Sequence, residues 1–296
     1  MNIIESIKQS FKDGSSLTKL IFINLAVFIG LKLIVVLLLL FNVSGIFILS
    51  YLAVPADLIH LLYRAWTPIT YMFLHEGFLH LFFNMLSLFW FGKIFLMYFS
   101  EKQLVGLYIF GGLISALFYV AAFNLFPFYK PLISQSLLLG ASGSIMAIIL
   151  ATAYQSPNME LQLMFVGGVK LKYIAIIAVL TSFFGITSNN GGGQLAHLGG
   201  ALAGYFFIVS LRQGKDITSG LNKLLNTFVN LFNPRKLRVK QNKTRRNMPM
   251  SDADFNVNKA NKMARIDHIL DKIKTSGYES LSAEEKKQLF EQGNKN

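Results

Sequence analysis

Residues 140–154 read GASGSIMAIILATAY and residues 194–211 read QLAHLGGALAGYFFIVSL. Both runs are apolar enough to sit in a bilayer, yet the first carries Ser142 near its start and the second carries His197. Polar groups in such runs are costly and mark a functional site. A hydroxyl beside an imidazole is nucleophile chemistry, because the histidine can take the proton that keeps serine weak. The pair predicts a hydrolase working inside a membrane.

The rest of the chain agrees with that setting. A hydrophobic fraction of 53%, 27 Phe and 15% charged residues, with a mean hydropathy of +0.48, exclude an ordinary soluble domain. The absence of cysteine excludes disulfides and thiolate metal sites and leaves the redox compartment unread. The net charge of +13 would suggest nucleic acid in a soluble protein, but here it gathers in the tail. The run RKLRVKQNKTRR (235–246) holds seven basic residues and no acidic one. A mixed-charge leader and a long first apolar run argue against a cleavable signal peptide.

A membrane-crossing helix needs about 20 mostly apolar residues. On that measure six spans are predicted, at Leu17–Phe41, Phe78–Phe99, Leu104–Phe126, Gly140–Tyr154, Tyr173–Thr187 and Gln194–Leu211. The fourth and fifth are short, as suits helices that face a water-filled cavity within a bundle. Segments 43–77, 127–139 and 188–193 contain only Arg64 and Lys130 as basic residues, whereas lysines mark the leader, the other connections and the tail. The positive-inside rule then puts both termini in the cytoplasm.

This orientation brings four polar residues to one depth. His80 and Asn84 are one turn apart in the outer half of the second span, Ser142 opens the fourth, and His197 lies a few residues into the sixth. Asn84 and His80 can supply the hydrogen-bond donors that a tetrahedral oxyanion requires. The first loop, 43–77, is too apolar for a solvated loop and is expected to fold onto the membrane interface, with Tyr63, Trp66 and Tyr71 as anchors. Gly200 and Gly204 form a face for close helix approach, with Gly143 and Ala147 as its natural partners. Gly191, Gly192 and Gly193 read as a flexible turn, and His60 and His268 as surface residues without partners.

Three blocks together resemble the rhomboid family of intramembrane serine proteases: HEGFLHLFFN (75–84), Gly-Ala-Ser-Gly (140–143), and Ala196-His197 followed by Gly200 and Gly204. The resemblance covers 17–212 and implies an all-α, six-transmembrane-helix bundle. It implies Ser142 as nucleophile and His197 as general base in a dyad without an acidic third member. His80, Asn84 and the Ser142 backbone N–H would then form the oxyanion hole, while His75 and Trp66 shape the first loop. Two positions depart from the family: Thr67 stands where Trp-Arg is frequent, and Met146 where some members have an aromatic residue to stack on the histidine.

The expected organisation is a cytoplasmic leader (1–16), the six-span core (17–212), a basic linker (213–250) and a small helical cytoplasmic tail (251–296). Within the tail, two short helices are expected to meet at Ser276-Gly277, the second opened by a capping box of Ser282 and Glu285. The expected partners are transmembrane protein substrates and membrane lipids, the basic run serving either anionic headgroups or topology alone. Nucleic acid, metals and organic cofactors are not called for. A bacterial plasma membrane is the expected location. Two other readings are an inactive relative that binds client helices, and a small transporter, which would need midplane polar groups and an internal repeat.

Overall fold

The computed structural model describes residues 3–163, 167–232, 252–286 and 289. Helices dominate because an apolar run in lipid must satisfy its backbone polar groups within itself. In chain order they are α1 (Ile3–Asp13), α2 (Ser16–Leu40), α3 (Ile46–Leu52), α4 (Leu58–Tyr63), α5 (Thr67–Thr70), α6 (Phe78–Tyr98), α7 (Glu101–Leu125), α8 (Ser142–Gln155), α9 (Leu171–Phe184), α10 (Gly191–Arg212), α11 (Ser219–Phe232) and α12 (Asp252–Ser276). Four of them, α2, α6, α7 and α10, are long and apolar enough to cross a membrane, while α8 and α9 are shorter apolar helices. The chain forms two compact units, Met1–Lys236 and Leu237–Asn296.

Two small sheets depart from the all-α expectation. Strand β1 (Val54–Pro55) pairs antiparallel with β2 (Leu137–Leu138), and β3 (Glu160–Leu163) with β4 (Gly167–Lys170). The first pairing joins the segment after α3 to the approach to Ser142, a contact that local hydropathy cannot reveal.

The centre of the first unit is the packing of α7, α8 and α10, and small residues set their spacing. A methyl group on Gly204 would lie 2.2 Å from the Ala147 carbonyl oxygen, one on Gly200 2.0 Å from the Gly143 oxygen, and one on Gly111 2.5 Å from the Ala147 Cβ. Such approach is open only to glycine and is how helices associate without a hydrophobic driving force. The partners expected for the Gly200/Gly204 face are the ones found. Around this centre α2 packs on α6 and α7, and α9 on α8 and α10.

Three local expectations are corrected. Gly191, Gly192 and Gly193 form the first turn of α10 instead of a flexible turn; a side chain on Gly191 would meet the Ile186 carbonyl oxygen and one on Gly192 the Tyr119 ring, so the glycines permit close seating. Tyr71 is no interfacial anchor: its ring is buried and its hydroxyl donates to the Gly112 carbonyl at 2.6 Å. His60 has a partner, its Nδ1 lying 2.8 Å from Asp57 Oδ1.

The region after 212 also differs from a linker. Gln103 Nε2 donates to Asp216 Oδ2 at 3.3 Å. Thr218 is fully buried against Gly106, where a methyl group would lie 2.6 Å from the Thr218 Cβ. Helix α11 thereby packs on α7, its Leu221 and Leu225 meeting the core. The basic run 235–246 lies outside the described residues.

In the second unit α12 starts at Asp252 and is longer than the short helix expected before Gly277, and a second helix opens after Ser282, at residues 283–286, as expected. Gly277, at φ +76°, ends α12 in the left-handed conformation that glycine adopts freely. The capping box is present: the Ser282 N–H donates to Glu285 Oε2 at 2.7 Å and the Glu285 N–H to Ser282 Oγ at 3.3 Å. Lys272 Nζ, 3.0 Å from the same carboxylate, ties that cap to α12.

Candidate active site

The N-termini of α6, α8 and α10 meet at one end of the first unit, around a cavity of about 710 Å³. His80, Asn84, Ser142 and His197 all line it, together with Glu76, Ser87, Tyr119 and Asn190. A second cavity of about 320 Å³ is lined by Asn84, Ser142, Met146, Ser182, Gln194 and His197. Sequence spacing placed the four polar residues at one depth. The structure brings them to one wall.

Ser142 owes its place to the residues just before it. Gly140 has φ +124°, a conformation that side-chain-bearing residues rarely adopt, and its N–H donates to the Tyr71 carbonyl at 3.0 Å. A methyl group there would lie 3.1 Å from His80 Nε2 and 3.6 Å from Ser142 Oγ, so both functional groups flank one point. Ser142 is the first residue of α8. Its backbone N–H therefore has no partner within the helix and is directed at the cavity end, where the helix dipole favours negative charge.

On α6, Asn84 donates through Nδ2 to the His80 carbonyl at 2.9 Å, within its own helix. One amide N–H is used in this way and the other remains for the cavity. His75, expected to shape the first loop, is buried and sets its ring edge-on against His80, with centroids 5.1 Å apart. Burial, and next the neighbouring His80, hold the His75 imidazole down to about 4. It is therefore neutral near pH 7 and adds no charge beside His80.

His197 stands in the first turns of α10, and the preceding carbonyl, that of Ala196, lies 3.4 Å from a methyl placed on Gly143. The residues next to Ser142 and His197 are thus in contact. Among the described residues no hydrogen bond joins Ser142 to His197. His197 Nδ1 instead lies 3.3 Å from Ser182 Oγ on α9.

One of the two departures from the family finds a local answer. Although Thr67 replaces an arginine, the first loop is held by Arg64, whose Nη1 donates to the Ser50 carbonyl at 2.7 Å and whose guanidinium lies 4.5 Å from the Tyr51 ring centre. Trp66 Nε1 donates to the Tyr51 carbonyl at 2.8 Å, and Thr70 Oγ1 to that of Leu52 at 2.6 Å. Met146 lines the smaller cavity with His197 but offers no ring to stack on it.

Sequence reasoning missed Ser182, Ser87, Tyr119 and Asn190 as lining residues. For Ser182 a signal was available: Thr181-Ser182 is the polar pair within the apolar stretch 173–184, a few residues below the end at which His197 enters.

Comparison with known proteins adds two matches. Residues 63–214 match the Rhomboid domain, and residues 251–295 match a family of unknown function (DUF6576). No curated protein matches the chain. The Rhomboid match spans the half of the chain that carries α6 to α10, and with it both helix ends that present Ser142 and His197, so this integral membrane protein belongs to the rhomboid family.

Proposed function

We propose that the protein is an intramembrane serine endopeptidase in which Ser142 attacks the scissile carbonyl and His197 serves first as base and then as acid. The single observation that carries this reading is the shared lining of one cavity by Ser142, His197, His80 and Asn84. His197 Nε2 takes the Ser142 proton as Oγ bonds to the carbonyl carbon. The oxyanion is met by the Ser142 N–H at the head of α8 and by Asn84 and His80 on α6, each donor worth roughly 3 kcal/mol in such sites. His197 then protonates the leaving amine, and water admitted through the cavity hydrolyses the acyl-enzyme.

In this reading six helices cross the membrane, α2 and α6 to α10, with both termini in the cytoplasm of a bacterial cell and the site shallow on the outer side. Substrates are membrane proteins whose transmembrane helix unwinds near its outer end. A fluorophosphonate probe should label the purified protein, and Ser142→Ala should abolish labelling and cleavage of a transmembrane substrate while leaving the melting temperature unchanged. Turnover retained in Ser142→Ala would refute the assignment, and a wild type that binds helices but resists the probe would favour client binding. Because the chain has no cysteine, Ser188→Cys should react with an impermeant maleimide on intact cells and Lys102→Cys should not.

A further inference from the structure

Helix α9 buries Leu171, Ala175 and Ser182, while Ile176, Ile177, Leu180, Phe183 and Phe184 are exposed. Ser182, at 2% exposure, is the one polar side chain among those three. A buried hydroxyl destabilises unless it has a hydrogen-bond partner, and its partner is His197 Nδ1 at 3.3 Å.

That contact has a chemical consequence. A neutral imidazole carries its proton on one nitrogen only, and the bond made by Nδ1 bears on which. A serine hydroxyl can donate or accept at Nδ1; when it accepts from Nδ1–H, Nε2 is left unprotonated, which is the form a base for Ser142 needs. The same bond holds the ring against rotation. Met146, on the wall of the same small cavity, is a flexible thioether and fixes no ring orientation. No carboxylate is among the residues lining that cavity.

We propose that Ser182 is a positioning residue for His197, its hydroxyl accepting the Nδ1–H bond and so setting the tautomer and the ring angle in which Nε2 faces Ser142. This rests on the protease reading above and adds a third member, neutral and carried on a different helix, to the pair. Because the acceptor is uncharged, its loss should be modest, about fivefold to tenfold in rate for a neutral hydrogen bond.

The test compares full-length wild type with Ser182→Ala, Ser182→Val and Ser182→Thr in detergent. Threonine keeps the hydroxyl, and valine has nearly the same shape without it. Alanine and valine should lower kcat about fivefold to tenfold with KM unchanged, and slow fluorophosphonate labelling of Ser142 to match. Threonine should restore both. Valine as active as threonine would overturn the proposal, as would a kcat loss explained fully by a lower folded fraction in the melting curves. A wild type that the probe does not label would sink the protease reading and this inference together, whereas a labelled wild type with an unaffected Ser182→Val sinks only the inference.

Discussion

Gly200→Ala should slow catalysis without touching a reacting atom, by forcing apart the two helices that carry Ser142 and His197. The added Cβ would sit 2.0 Å from the Gly143 carbonyl oxygen, and 3.0 Å is the least a real contact tolerates, so α10 and α8 must part by at least 1.0 Å. Both contact atoms are backbone, and no rotamer change relieves them. Gly200 lies three residues beyond His197 on α10, and Gly143 follows Ser142 on α8, so the displacement acts on the distance between base and nucleophile. Overpacking of this kind costs about 1–3 kcal/mol of stability, whereas a misplacement of about 1 Å at reacting groups can cost about a hundredfold in rate. The assay is the rate of fluorophosphonate labelling per folded molecule, with a melting curve on the same preparation. Gly30→Ala, where nothing lies within 4 Å of the added methyl, is the control and should match wild type. If Gly200→Ala labels at the wild-type rate with an unchanged melting temperature, the close approach of α8 and α10 does not hold the site as argued.

Asn84→Ala should slow cleavage by roughly tenfold to a thousandfold without abolishing it, because the Ser142 N–H and His80 still face the oxyanion; a fall in melting temperature with an unchanged rate would show that Asn84 only braces α6. His197→Ala should equal Ser142→Ala in loss, and the double variant should be no worse, as measured by single-turnover cleavage. Deleting 237–296 should leave labelling and melting of the remaining chain unchanged, whereas deletion from 213 should lower stability by at least about 2 kcal/mol, because it strips Thr218, Leu221 and Leu225 from α7. Arg64→Ala should loosen the first loop by about 1–2 kcal/mol, seen as faster hydrogen exchange over residues 50–66, since it removes both the Ser50 bond and the stacking on Tyr51.

Hydropathy alone determined the apolar helices of this protein, and their ends shifted by only a few residues, because in lipid each run must satisfy its own backbone and so forms from local sequence. The Ser282/Glu285 cap and the Gly277 helix end were legible for the same reason: the atoms involved are within one turn. Ser142, His197, His80 and Asn84 could be singled out because polar groups stand out in apolar helices and their depth follows from counting residues along them. Gly200 and Gly204 were legible as a contact face, since small residues four apart favour close helix approach.

What the sequence could not carry was any contact between elements whose separation along the chain has no period. The Ser182 to His197 bond depends on how α9 leans against α10: the polar pair Thr181-Ser182 is visible in its apolar run, but which residue it meets is not until that neighbour is in place. Arg64 could not be seen to anchor the loop at Ser50, because the turn that brings them together is set by the β1 pairing with β2, some eighty residues further on. The stretch after 212 reads as a basic linker from its composition alone, and the surface of α7 around Gln103 and Gly106 is what gives Asp216 and Thr218 partners. Periodicity and polarity act within a helix, and so the sequence determined which helices form and which faces carry chemistry. The mutual approach of those helices depends on backbone atoms meeting across glycines, and that only the tertiary structure decided.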